Sequence, residues 1–407
     1  MTTVQAKNPV LLLGGDATTL SLARTYGAMG IEVRAVMEAK ASAGKSRYLT
    51  EHIVIPDGVD PQEYFATVTL SGGSSRVLGS VIIACGDDGV EFVAKNHADL
   101  TRQYLLEKNH PRLQLDLLNK EKTLSLAREA GLAIPSFHSV QSLKDIEQVA
   151  ANLRFPIMLK PHLTFLLYRL RKQKYLLAAN DDELYSSARD LLDNNIEFML
   201  CEMIPGPDSQ NCSYYTYRLG DGSEYLSLTK RLLRRRPMNQ GAGTYQLTEN
   251  LPDVAQAGKQ FFDYIGYRGF GCIEYKRDIR DGSLRVMECN NRFTAVQEQL
   301  ASAGANAAIL AYADITNQPM QPIIGCRSKV AIWSPINDLN AFREVLRRDP
   351  KASWSDWWRS LEHRSTVFPF FAWRDPMPFV RALSQQVGRV LKRKLGLTAA
   401  QARDLGG

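Results

Sequence analysis

GCIEYKRDIRDGSLRVMECNNRF, running from Gly271 to Phe293, places two carboxylates and an amide where apolar residues are expected. Cys272 to Tyr275 and Leu284 to Asn290 read as two strands, and Asp281-Gly282 between them is a strong hairpin-turn signal. Side chains alternate along a strand, so Leu284, Val286, Glu288 and Asn290 share one face that turns polar at its end. On the first strand Glu274 interrupts an apolar run. A turn centred near residue 280 sets Glu274 opposite Val286 and diagonal to Glu288. Two ionised carboxylates about 4 Å apart repel by roughly 4 kcal/mol at an effective dielectric of about 20, so a cation belongs between them. A hard metal such as magnesium, which prefers oxygen ligands, is one candidate. Ordinary ion pairing with Arg285 or Arg292 is the other.

The length, 407 residues, suffices for several domains around a substantial core. Hydrophobic residues make up 44% and charged residues 23%, the balance of a globular chain. No apolar run approaches the roughly eighteen residues of a membrane span, and no signal-peptide pattern opens the chain, so the cytosol is the expected location. The cysteines are dispersed without a CxxC pair and read as small core residues, not zinc ligands or disulfides. A net charge of +7 favours an anionic partner. No helix-turn-helix or zinc-finger pattern is present, which argues against nucleic acid.

Strands alternate with helices near the N-terminus. Val10 to Leu13 leads into Gly14-Gly-Asp16 and a helical stretch from Thr18 to Met29; Ile31 to Val36 and Val81 to Ala84 follow as further strands. This is the pattern of a doubly wound parallel sheet, whose ligands gather at the carboxyl ends of its strands. Asp87 and Asp88 stand at such an end, either facing a substrate or, the blander option, capping the next helix. Residues 115–134 read as one amphipathic helix. Lys160 ends an apolar strand directly before Pro161 and is either a snorkelling edge residue or a cation aimed into a cleft.

Taken together, these residues resemble the ATP-grasp carboxylate-amine ligases. The resemblance rests on Asn119-Lys120-Glu-Lys-Thr123 before Ala130-Gly-Leu-Ala-Ile-Pro135, on Pro156-Ile-Met-Leu-Lys160-Pro161 and on Glu202-Met-Ile-Pro-Gly206. Glu274 and Glu288-Cys-Asn290-Asn-Arg292 complete it, and it covers roughly residues 1 to 320 in the family's order. It implies an α/β protein with a doubly wound domain at 1–114, a two-lobed ATP-grasp unit at 115–325 and a C-terminal extension at 326–407. Lys120 and Lys160 match lysines that reach the ATP phosphates, and Lys174 matches a further cleft lysine. Glu202 and Ile204 match the hinge whose backbone binds adenine, and Asp208 the ribose contact. Glu274, Glu288 and Asn290 match ligands of magnesium, with manganese an alternative, and Arg292 the arginine that steadies the transferred phosphoryl group. The implied reaction activates a small, anionic carboxylate as an acyl phosphate and joins it to an amine. A carboxylate is ionised at neutral pH, so the lack of a catalytic triad fits.

Family members often carry a glycine-rich loop after the Lys-Pro pair, because glycines let backbone amides approach phosphates closely. Here His162 to Lys172 contains no glycine. Either basic side chains replace those amides or the ATP site is altered, and the second option keeps open a weakened nucleotide-binding scaffold. Lys230-Arg-Leu-Leu-Arg-Arg-Arg236 is either a solvated strand edge or a grip, through Arg234 or Arg236, on an anionic substrate. Phe379 to Leu395 reads as a basic amphipathic helix, docked on its own domain or resting on a partner or a membrane surface; contact through 376–395 would place the protein at the inner face of a membrane.

Overall fold

The computed structural model describes residues 4–70, 75–149, 153–171, 173–361, 363 and 365–394. Its first sheet holds β1 (Val10–Leu13), β2 (Val33–Glu38), β3 (Glu51–Ile55) and β4 (Val81–Ala84), all parallel, in the order β3-β2-β1-β4. β1 is apolar throughout because a parallel sheet is covered on both faces. Val10 and Leu12 enter one core with Leu20 and Tyr26; Leu11 and Leu13 enter another with Phe65 and Phe92.

A second, antiparallel sheet holds β5 (Phe137–Val140), β6 (Ile157–Pro161), β7 (Leu176–Ala178) and β8 (Phe198–Glu202) in the order β5-β8-β6-β7. The third sheet has seven strands: β9 (Asn211–Arg218), β10 (Glu224–Arg236), β11 (Ala242–Thr248), β12 (Gly269–Arg277), β13 (Leu284–Asn290), β14 (Val330–Trp333) and β15 (Ser365–Val367). Their order is β13-β12-β9-β10-β11-β14-β15. The hairpin that dominates the sequence is therefore an edge of the largest sheet, and β6 of the second sheet, with Met203 and Ile204 just beyond β8, supplies the other side of the cleft.

Three expectations change. The single helix over 115–134 is two helices, Pro111–Leu118 and Lys120–Glu129. Asn119 separates them: its backbone is extended and its Oδ1 accepts from the N–H groups of Glu121 (3.0 Å) and Lys122 (3.1 Å). An asparagine amide competes with the backbone inside a helix but satisfies free N–H groups at its start. Lys120 thereby becomes the first helical residue, with its N–H donating to the His162 carbonyl (2.9 Å) and its side chain buried.

Asp87 and Asp88 do not cap the helix Asp87–Lys95. They open it, with Gly86 at the cap position, and both carboxylates are paired with arginines. The described part of the C-terminal extension does not stand apart either. β14 pairs with β11 and β15 with β14, so the extension finishes the large sheet. Buried Asp375 then accepts from Arg24 Nε (3.0 Å), Ser46 Oγ (2.7 Å) and the Arg47 N–H (3.0 Å), tying the extension to the N-terminal domain. The terminal helix spans Met377–Lys394; Leu395, the last residue of the expected amphipathic pattern, lies outside the described residues.

Glu107 gives the fold a pH signature. Burial, reinforced by nearby Asp314, pushes its carboxyl up to about 7, and its Oε1 is enclosed without a hydrogen-bond donor. The unfolded chain ionises this group near the ordinary glutamate value, about 4.3, so the folded state binds the extra proton between there and about 7. Stability from this group is therefore full below the lower value and is lost as pH rises through the window. Glu107→Gln is expected to raise the thermal midpoint at pH 8 and to leave it nearly unchanged at pH 4, as read by calorimetry.

Candidate active site

Glu274 lies directly opposite Glu288 and Cys272 opposite Asn290 across β12 and β13. Val286 faces Tyr275, not Glu274 as the simple turn count suggests, because Met287 is an extra residue in β13 at a register shift. A bulge of this kind re-aims side chains and leaves a residue outside the ladder. The Met287 carbonyl accepts from Lys160 Nζ at 2.8 Å. The bulge thus converts a diagonal pair of carboxylates into a facing pair and anchors the β6 lysine beside them.

Asn290 Nδ2 stands 3.4 Å from Glu274 Oε1 and 3.4 Å from Glu288 Oε1, long for hydrogen bonds. Exchanging the amide's oxygen and nitrogen turns this group into three converging oxygen donors. Two carboxylates and an amide oxygen are the donor set of a hard divalent cation, so the residues fit magnesium or manganese. Neither flanking arginine competes for the place. Arg285 holds Asp278 (3.1 Å) and Asp281 (3.0 Å), while Arg292 Nε donates to Asp87 at 2.5 Å. Among the described residues no group of three His, Cys, Asp or Glu side chains forms a metal cluster.

Lysines surround the hairpin. Lys120 Nζ lies 3.3 Å from Glu288 Oε2. Burial alone would raise the Glu288 pKa, but Lys120, Lys174 and Lys160 outweigh it and hold the carboxyl well below its usual range. Burial also works against the Lys120 ammonium, which Glu288 and Asp87 sustain above the ordinary lysine value. For Lys160 burial prevails and its pKa is lowered. Arg292 is held charged by Asp87 despite its burial.

These groups open on a cavity of about 350 Å³. Among the described residues its wall carries six cationic side chains, Lys160, Lys174, Lys230, Arg235, Lys276 and Arg292, against two carboxylates, Glu274 and Glu288. Met158, Met203, Ile204 and Met287 supply apolar wall. Of the residues singled out from the sequence, Lys160, Lys174, Ile204, Glu274, Glu288, Asn290 and Arg292 line it, and Lys120 reaches it through Glu288. The side chains of Glu202 and Asp208 do not. Glu202 pairs with Arg280 (2.6 Å), and buried Asp208 accepts from Arg235 Nε (2.8 Å) and the Asn239 N–H (3.2 Å).

Three cations escaped the sequence reading or were assigned to the wrong neighbour. Lys276 Nζ donates to the Ile204 carbonyl at 2.8 Å, and its burial draws its pKa down to about 8. Lys230, also lowered by burial, donates to Gln246 Oε1 and lies over the Tyr215 ring. On β10, Lys230 and Leu232 face the cavity, and simple alternation would place Arg234 there next. Register shifts on either side of Arg234 send Arg235 in instead. Arg234 then points to the opposite face, where it makes a two-pronged bond to buried Asp338 (2.7 and 2.9 Å), while Arg236 pairs with Glu344 (3.3 Å). Of the arginines in this run, Arg234 and Arg236 therefore do not line the cavity, and Arg235 does.

The glycine-free segment after Lys160-Pro161 folds as a helix, Thr164–Arg171. Thr164 lines the cavity, but Arg169 reaches the other way, to Asp60 (2.7 Å) and Asp88 (2.8 Å) of the N-terminal domain, and Arg171 pairs with Asp190. Here the arginines hold the segment down on neighbouring carboxylates.

No family model matches the chain. A D-aspartate ligase of Enterococcus faecium (strain Aus0004) is 24% identical over 310 residues, 69% of this chain and 70% of the relative. The biotin carboxylase domain of Hydrogenobacter thermophilus 2-oxoglutarate carboxylase, solved with MgADP and bicarbonate, superposes with a TM-score of 0.63 at 14% identity, over 81% of this chain and 74% of that one. The L-amino acid ligase of Bacillus licheniformis superposes with a TM-score of 0.61 at 15% identity, over 81% and 79%. The chain has the ATP-grasp fold. A parallel four-stranded sheet followed by largely antiparallel sheets is typical of it, and the sequence is similar to that of a ligase.

The two neighbouring arginines separate by experiment. Arg234→Ala leaves Asp338 as an uncompensated buried charge and is expected to cost about 3–5 kcal/mol in urea denaturation. Arg235→Ala also strips buried Asp208 of its cation and is expected to cost stability too, but unlike Arg234→Ala to weaken binding of an anionic ligand in the cavity directly. Equal binding of such a ligand by the two folded variants would contradict the assignment of their faces.

Proposed function

We propose that the protein is an ATP- and magnesium-dependent ligase that activates the carboxylate of an amino acid and joins it to an amine, releasing ADP and phosphate. The observation that carries this reading is the excess of six cations over two carboxylates around one cavity. Such a surplus is costly in an empty cleft and is relieved by a polyanion: a triphosphate and a carboxylate together. Glu274, Glu288 and Asn290 would hold the magnesium, which when bound neutralises phosphate charge and fixes the triphosphate for in-line transfer.

The remaining roles belong to the chain's own side chains. Lys120, Lys160 and Lys174 receive phosphate oxygens. Backbone groups of Glu202 and Ile204 meet the adenine edge, where Lys276 shares the Ile204 carbonyl. Asp208 serves the ribose only by loosening its bond to Arg235. The substrate carboxylate attacks the γ-phosphorus as ADP leaves, giving an acyl phosphate. The amine then attacks the carbonyl, phosphate leaves, and one amine proton is lost to solvent. Arg292, oriented by Asp87, and Arg235 stabilise the charge that builds on the transferred group and the substrate.

The relative that ligates D-aspartate makes an acidic amino acid the first substrate to test. Phosphate release from ATP is expected with D- or L-aspartate and an amine, to require magnesium, and to fall at least a hundredfold in Glu288→Ala. Tight nucleotide binding without release for any amino acid and amine pair would sink the ligase reading and favour the scaffold, to which the glycine-free lid helix points.

A further inference from the structure

The terminal helix Met377–Lys394 lies on the N-terminal domain with its polar side inward. Arg381 Nη2 donates to the Ala39 carbonyl (3.4 Å) and Gln385 Nε2 to the Lys40 carbonyl (2.6 Å). Pro378 is buried, and Arg381, Ala382 and Gln385 are partly so. The opposite side carries Met377, Val380, Leu383 and Val387, which are 53%, 50%, 39% and 49% exposed. Their spacing puts them along one helical face. An amphipathic helix docked for its own stability buries that face; this one displays it to solvent.

The orientation is built in. Asp375, two residues before the helix, is 1% exposed and fixed by Arg24, Ser46 and Arg47. Beside the apolar face Trp373 is 89% exposed; Phe371, packed against both Trp373 and Phe379, extends the surface.

Charge identifies the occupant. From Pro376 to Arg403 the sequence carries Arg381, Arg389, Lys392, Arg393, Lys394 and Arg403 and neither an aspartate nor a glutamate. A second copy of this helix would bring like charges together, and nucleic acid has no use for an apolar stripe. An anionic lipid surface satisfies both features: apolar side chains and a tryptophan enter the headgroup boundary, and the segment's net positive charge, inward-turned Arg381 aside, complements the lipid phosphates. We propose that the outward face of Met377–Lys394, with Trp373, is a docking surface for an anionic membrane. This goes beyond the ligase reading and does not depend on it.

The test is co-sedimentation of the full chain, without nucleotide, with vesicles of phosphatidylcholine alone or of phosphatidylcholine mixed with phosphatidylglycerol. Pelleting is expected to be at least about tenfold stronger with the anionic vesicles and to weaken as salt is raised. The double variant Val380→Asp, Val387→Asp is expected to lose at least tenfold of it with its thermal midpoint retained, because both positions are exposed. Trp373→Ala, which removes an exposed side chain that touches Phe371, provides a second variant with the same expected direction. Equal pelleting with both vesicle types, or pelleting unchanged in both variants, overturns the proposal. So does a dimer in sedimentation velocity that the double variant dissolves while no anionic pelleting is seen; that outcome assigns the face to a second copy.

Discussion

Glu274 and Glu288 stand face to face across two neighbouring strands, an arrangement that opposes folding unless something positive offsets it. Much of the cleft can be read as the answer to that repulsion. The bulge at Met287 brings the pair into register and frees a carbonyl that fixes Lys160. Asn119 breaks a helix so that Lys120 begins one beside Glu288. The cations do more than cancel the pair. They exceed it, and the surplus lines the cavity. A site that needed only its own stability would stop at neutrality.

The second constraint is the contact between the cleft and the N-terminal sheet. Asp87 and Asp88, at the carboxyl end of β4, hold one arginine each from elements that are distant in sequence: Arg292 beyond the hairpin and Arg169 on the lid helix. The parallel sheet therefore orients one of the cavity's cations directly and holds the helix whose first residue, Thr164, lines the cavity. Asp375 does the same for the C-terminal extension through Arg24. In each case a carboxylate joins two parts of the chain, and at Asp375, which is 1% exposed, breaking the pair costs more than its formation contributes.

Periodicity made the architecture legible. β1 and β4 are continuous apolar runs, the hairpin announces its turn with Asp281-Gly282, and the parallel-sheet and ATP-grasp expectations agree with the observed sheet orders. Most of the residues singled out for the site share one cavity for the same reason, since they fall at strand ends. What escaped were the places where one residue changes the period. Met287 shifted a register, and the bulges around Arg234 exchanged two arginines between faces. Asn119 divided what hydrophobic spacing joined. Alternation cannot show such a slip, because an extra residue looks in sequence like any other. The terminal helix is a different case: its amphipathic pattern was plain, but which side it turns inward depends on backbone carbonyls at Ala39 and Lys40.

The central claim is that the facing glutamates form a divalent-metal site that acts together with a bound nucleotide. Calorimetric titration of ADP with and without magnesium, on the unaltered protein and on Glu288→Gln, measures that coupling directly. Magnesium is expected to tighten ADP binding by at least about tenfold in the unaltered protein, roughly 1.4 kcal/mol, and to have little effect in the variant. Binding that ignores magnesium in the unaltered protein, or that responds equally in both, would contradict the account.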